Sequence, residues 1–184
     1  GIAANGARLH KERLVLPIRD TAGMLHSLQF IGADGGKRYL TGGRIRGCYF
    51  GIGKPDGVLC IAEGFATGAS IHEATGYAVA VAFDAGNLQP AAKALREKFP
   101  DMQLILCADD DYRTDGNPGM TKAKETAQAV GGLLAVPDFG PDRPEGATDF
   151  NDLHQAQGLA AVARCIEAAL TGTAIAPGIA QGMA

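Results

Sequence analysis

The strongest constraint on how this chain folds is a set of four short apolar runs, at residues 58–62, 78–82, 104–108 and 133–136, with helical spacing between them. Each run is unbroken rather than alternating, as expected of strands buried on both faces. Helices are expected over 66–74, 88–99 and 121–130, closed by Gly76, Pro100 and the pair Gly131-Gly132. Strands that alternate with helices pair in parallel through right-handed crossovers. The expected fold class is therefore α/β: a parallel four-stranded sheet flanked by helices, with a last helix over 159–170.

Upstream of residue 58 the pattern changes. Leu14-Val15-Leu16-Pro17-Ile18, residues 25–31 and residues 37–40 read as strands, separated by the turn signals Asp20-Thr21-Ala22-Gly23 and Asp34-Gly35-Gly36. The expected organisation is a loose segment over 1–12, a small, mostly antiparallel β lobe over 13–57, the α/β unit over 58–170, and a linker-like tail rich in Gly and Ala over 171–184. Gly1 in place of an initiating Met points to a piece of a longer chain.

Acidic residues stand where two of the apolar runs end. Glu63-Gly64 follows the first run and Asp109-Asp110-Asp111 the third. In such a sheet both motifs lie at the carboxyl edge, where ligands bind. Glu63 reads either as an acid favoured by a helix start or as a metal ligand or general base. The aspartates read either as a solvated turn or as hard oxygen ligands for Mg²⁺ or Mn²⁺. Alternation along an extended chain sends Asp109 and Asp111 to one side and Asp110 to the other. Asp149-Phe150-Asn151-Asp152 offers either a helix cap at Asp149 or further acid for the same site. Asn87, after the second run, is an N-cap or a phosphate contact. The turn Asn117-Pro118-Gly119 is a phosphate cradle or a plain helix start with Pro in its first turn. Lys37, Arg38 and Lys122 are solvated surface or phosphate-holding cations.

The bulk properties exclude some functions. With 46% hydrophobic and 20% charged residues the chain has an ordinary globular composition, and its net charge of −3 supplies no global field for nucleic acid. Any such binding needs a local basic surface or other domains. Cys48, Cys60, Cys107 and Cys165 lack Cys-x-x-Cys spacing, and two of them sit inside apolar runs. They read as buried thiols rather than a disulfide framework or a zinc site, which fits a reducing cytoplasm. No apolar stretch reaches membrane-spanning length, and no signal peptide is evident.

The order and spacing of these motifs resemble a TOPRIM domain, the module shared by bacterial-type primases, type IA and II topoisomerases and some nucleases. Across residues 13–170 the segments Leu14–Asp20, Gly35-Gly36-Lys37-Arg38, Glu63-Gly64, Gly86-Asn87-Leu88, Asp109-Asp110-Asp111, Asn117-Pro118-Gly119 and Asp149–Asp152 are similar to primases of phages and conjugative plasmids, including the TraC type. The resemblance implies a Mg²⁺-dependent nucleotidyltransferase that makes short RNA primers on single-stranded DNA from ribonucleoside triphosphates. It implies Glu63 as catalytic acid/base, Asp109 and Asp111 as metal ligands, and Asp149 or Asp152 as support for a second metal. Lys37 and Arg38 would hold nucleotide and template, with Asn87 and Lys122 as further contacts. The Arg-Glu-Gly-Glu pattern of topoisomerases does not follow the aspartates, and neither a zinc module nor a P-loop is present, so zinc-binding or helicase domains would lie outside this chain. A TOPRIM nuclease and a non-catalytic nucleic-acid-binding module are the alternatives, because acids and metals alone do not separate joining from cutting.

Overall fold

The computed structural model describes residues 6–172. Nine strands form two sheets. The first contains β1 (Arg8–His10), β2 (Arg13–Arg19), β3 (Leu25–Ile31) and β4 (Lys37–Tyr39), paired antiparallel in that order. The second contains β5 (Phe50–Ile52), β6 (Val58–Ala62), β7 (Ala78–Val81), β8 (Gln103–Cys107) and β9 (Leu133–Ala135) in the order β5-β7-β6-β8-β9. The pairings β6–β7, β6–β8 and β8–β9 are parallel.

The α/β class and the four parallel strands are as expected, with two differences. Residues 8–10, expected to be loose, pair with β2. The sheet also gains a fifth strand, because β5 pairs antiparallel with the outer edge of β7. Phe50 and Ile52 thus lie in the second sheet although they fall within the stretch expected to form the β lobe. Residues 1–5 of the expected loose segment, and the expected tail beyond residue 172, lie outside the described residues.

Five helices cover the second sheet: α1 (Phe65–Thr75), α2 (Ala85–Lys98), α3 (Pro118–Val130), α4 (Phe150–Gln157) and α5 (Leu159–Thr171). Alternate strand residues feed two apolar layers. Cys60, Ala62, Val79, Val81, Ile105 and Cys107 share a cluster with residues of α1, α4 and α5, and Leu16 and Ile18 of the first sheet join them. Leu59, Ile61, Ala78, Ala80, Leu104 and Leu106 pack with α2 and α3. Burial on both faces is why these strands read as unbroken apolar runs. Cys48, Cys60 and Cys107 are buried free thiols.

Two helices start three residues earlier than their apolar spacing indicates. Asp84 caps α2 by accepting from the Asn87 amide, and Asn117 caps α3 by accepting from Met120, with Pro118 in the first turn. Capping chemistry, not apolar periodicity, sets both boundaries.

The first sheet leans on the carboxyl edge of the second. Gln29 Nε2 donates to the Tyr39 hydroxyl (3.0 Å), which donates to the Phe83 carbonyl (3.3 Å) just beyond β7. The Tyr39 and Phe83 rings meet edge to face, 6.3 Å apart.

Asn87, expected as an N-cap or a phosphate contact, makes a second joint. It is 4% exposed. Its Oδ1 accepts from the Gly47 amide (2.7 Å), and its Nδ2 donates to the Cys48 and Ala82 carbonyls (2.9 and 2.8 Å). The side chain is fully engaged in tying the segment before β5 to the end of β7. Asn87→Ala leaves three backbone groups, two of them buried, without this partner and should cost about 2–4 kcal/mol. A lower urea midpoint, with divalent-cation binding at the acidic edge unchanged, checks this.

Candidate functional site

The parallel register builds the site. Ala62 pairs with Cys107 across β6 and β8, so the residues that follow, Glu63 on one strand and Asp109 on the other, leave the sheet side by side. Burial first, then the charges of Glu63, Asp149 and Asp111, push the Asp109 carboxyl up to about 8, and Lys37 opposes them. Glu63 is raised by burial and by Asp84 and Asp111, again opposed by Lys37. Asp149 is raised by burial, while hydrogen bonds from backbone and from Thr67 pull the other way. Four carboxylates that feel one another in this way occupy one edge, and Asp84, expected at the same edge from its place after the second apolar run, joins them.

Local bonds fix each acid. Asp111 Oδ2 accepts from the Gly119 amide (2.9 Å) at the start of α3. The approach is so close that a Cβ at Gly119 would sit 2.5 Å from the Asp109 carbonyl and 2.8 Å from that Oδ2. The helix start that reads as a phosphate cradle therefore holds Asp111. Asp149 accepts from Thr67 Oγ1 (2.9 Å) and, through Oδ1, from the Asp152 amide (2.8 Å). Asp152 Oδ2 in turn accepts from the Thr148 and Asp149 amides (2.8 and 3.3 Å), which completes a capping box on α4. Asp149 is thus both a cap and a member of the acidic edge. Asp152, expected to support a metal, is instead engaged with backbone.

The expected cations separate. Lys37 stands over the acids, its Nζ lying 3.8 Å from where a Cβ would sit on Gly64. Arg38 is opposite Phe30 on β3, whereas Lys37 is opposite Ile31. Successive strand residues face opposite ways, so Arg38 is exposed on the outer face, away from the acids. Lys122 is exposed on α3 and pairs with Glu125 (3.4 Å). The geometry gives neither of them a contact with the site.

Asp110, on the other side of its strand end, meets an arginine that its sequence context does not single out. Arg143 Nη1 lies 2.6 Å from Asp110 Oδ2, Nη2 donates to the Asp110 carbonyl (3.1 Å), and Nε donates to the Ala147 carbonyl (2.9 Å). This fork ties the loop carrying Asp109 and Asp111 to the segment that leads into Asp149.

Among the described residues, no three His, Cys, Asp or Glu side chains are already gathered closely enough to hold a metal ion. The donor set nevertheless fits one. Asp109 Oδ1 is buried without a hydrogen-bond partner, and its neighbours are carboxylates. A divalent cation would satisfy that oxygen and relieve the repulsion that now favours the protonated acid.

Residues 57–136 match the Toprim domain family. Two proteins of Escherichia coli, each described as DNA primase TraC, are 42% identical over 139 residues, which is 71% of this chain. The chain carries a Toprim domain of the TraC-like primase type. It spans 13% and 10% of the length of those two relatives. The Toprim fold is shared with the primase fragment of the bacteriophage T7 primase-helicase protein (TM-score 0.62, 19% identity, 84% of this chain and 62% of that one). It is also shared with the RNA polymerase domain of Mycobacterium tuberculosis primase DnaG (TM-score 0.57, 18% identity, 93% and 63%). A third neighbour is a DnaG primase catalytic domain bound to single-stranded DNA (TM-score 0.58, 18% identity, 90% and 56%). Toprim primases are metal-dependent as a family. No helix among the described residues is long and apolar enough to cross a membrane.

The Asp109 carboxyl makes the metal-free Toprim domain sensitive to pH. Its folded pKa lies above its unfolded value of 3.8, so the folded state binds the extra proton and stability falls as pH rises from about 4 to about 8. The loss is on the order of 2–5 kcal/mol. Asp109→Asn should leave the metal-free melting temperature near wild type at pH 5 and raise it by about 5 °C or more at pH 8. Adding a divalent cation at pH 8 should stabilise the wild type and not the variant. Thermal melts at the two pH values read both effects.

Proposed function

We propose that this chain is the Toprim-containing part of a primase catalytic core, a nucleotidyltransferase that joins ribonucleotides on a single-stranded DNA template. One observation carries this reading: the convergence of Glu63, Asp109, Asp111 and Asp149 on one sheet edge with Lys37 above them. Asp109 and Asp111 would hold Mg²⁺, with Mn²⁺ as a substitute, and Glu63 and Asp149 would complete the shell. A divalent ion held there lowers the pKa of the attacking 3′-hydroxyl and neutralises triphosphate charge. Glu63, its carboxyl raised by burial and by Asp84 and Asp111, is suited to take the hydroxyl proton. Lys37 would meet the phosphates and Arg143 would keep the acid-bearing loops in register. The substrates of this reading are ribonucleoside triphosphates. Template recognition and strand separation would fall to zinc-binding or helicase parts of a longer protein, serving phage or plasmid replication or conjugative transfer in the cytoplasm.

Glu63→Gln and Asp109→Asn should each reduce RNA primer synthesis at least about a hundredfold while leaving the circular dichroism spectrum unchanged. Labelled single-stranded DNA, ribonucleotides and Mg²⁺ suffice for the assay. Undiminished synthesis by either variant removes the assignment, and shortened DNA without new RNA favours the nuclease reading.

A further inference from the structure

Tyr112 is the one large aromatic side chain among the described residues that stands exposed, at 41%, and it directly follows Asp111. Its ring is not free to swing. The Arg143 guanidinium lies 3.9 Å from the Tyr112 ring centroid and 4.7 Å from the Phe139 ring centroid. Arg143 is itself fixed by Asp110 and the Ala147 carbonyl. One side of the Tyr112 surroundings is therefore a guanidinium that is itself held in place and also packs on Phe139. The Arg113 guanidinium lies 5.5 Å from the Tyr112 centroid. Its side chain is 56% exposed, and its ion pair is with Glu145, which is 84% exposed. Such a pair contributes little, so an incoming flat group can displace it. The ring opens onto a shallow depression of about 570 Å³ along residues 112–117.

We propose that Tyr112 is a stacking platform for a base of single-stranded nucleic acid, with Arg143 as its buttress and Arg113 free to meet the adjoining phosphate. The inference rests on the primase reading for its ligand. A rigid exposed aromatic beside cationic groups is how sequence-tolerant single-strand binding is built. The platform lies on the Asp110 side of the strand end, across the chain from Asp109 and Asp111. A strand running past the site reaches it, whereas the base of a free nucleotide held by its phosphates at the carboxylates lies on the other side.

The test uses the whole chain and fluorescence anisotropy with two labelled oligonucleotides of equal length, one of thymidines and one abasic, together with ATP and tripolyphosphate. The thymidine strand should bind more tightly than the abasic strand. Tyr112→Ala should abolish that difference, a loss of about tenfold for one stacked base, whereas Tyr112→Phe should retain it, and ATP should show no base-dependent gain that depends on Tyr112. Equal binding of the two strands by wild type, no binding of either, a difference that survives in Tyr112→Ala, or a Tyr112-dependent gain with ATP instead of the strand each overturns the platform. Primer synthesis by the wild type reports separately on the primase reading, so the two can fail independently.

Discussion

Repulsion among carboxylates drawn partly out of water is the constraint on which the rest of this structure depends. The β6–β8 register brings Glu63 and Asp109 out at the same edge, and the loop from β8 into α3 and the entry to α4 add Asp111 and Asp149. No protein cation forms a direct ion pair with any of these four among the described residues; Lys37 stands nearby. The raised Asp109 carboxyl relieves part of that repulsion by holding a proton when no cation is bound, and the two apolar layers beneath it offset the remaining cost. Local rules broken at one edge of an otherwise consistent fold mark a functional site rather than a folding defect.

The parallel strands were legible because burial on both faces leaves an unbroken apolar signature, and Glu63 and Asp109 were legible because each directly follows such a run. Alternation also put Asp109 and Asp111 on one side and Asp110 on the other, as the Asp110–Arg143 fork bears out. β5 was not legible: three residues pair with a strand 27 positions or more away (Ile52 with Val79), and nothing in Phe50-Gly51-Ile52 announces that partner. β1 was hidden because Arg8-Leu9-His10 lies exposed at a sheet edge. Propensity carries little weight where tertiary pairing decides.

Among single side chains the limits have the same cause. Asn87, Asp152 and Lys122 have the right chemistry for a site, and their sequence context does not announce the partners they take in the fold: the Gly47–Cys48 segment, the start of α4, and Glu125. Lys37 and Arg38 are adjacent and chemically alike, so the choice between them waits on which face of β4 is turned inward. Thr67 and Arg143 matter for the opposite reason. Each acts on an acid 82 or 33 residues distant, a relation that no local spacing encodes.

These partners share a pattern with a mechanistic consequence. Thr67 and the capping amide hold Asp149, the Gly119 amide holds Asp111, and the fork on Asp110 holds the loop between them. Neutral donors fix the two acids, and the Arg143 guanidinium binds the aspartate that faces away. Orientation is thereby set without neutralising the edge, which keeps its charge for a ligand. An arginine on Asp109 or Asp111 would have made the fold more stable and the edge less able to attract a cation. Holding acids by neutral groups is the arrangement expected where preorganisation, rather than maximum stability, governs the site.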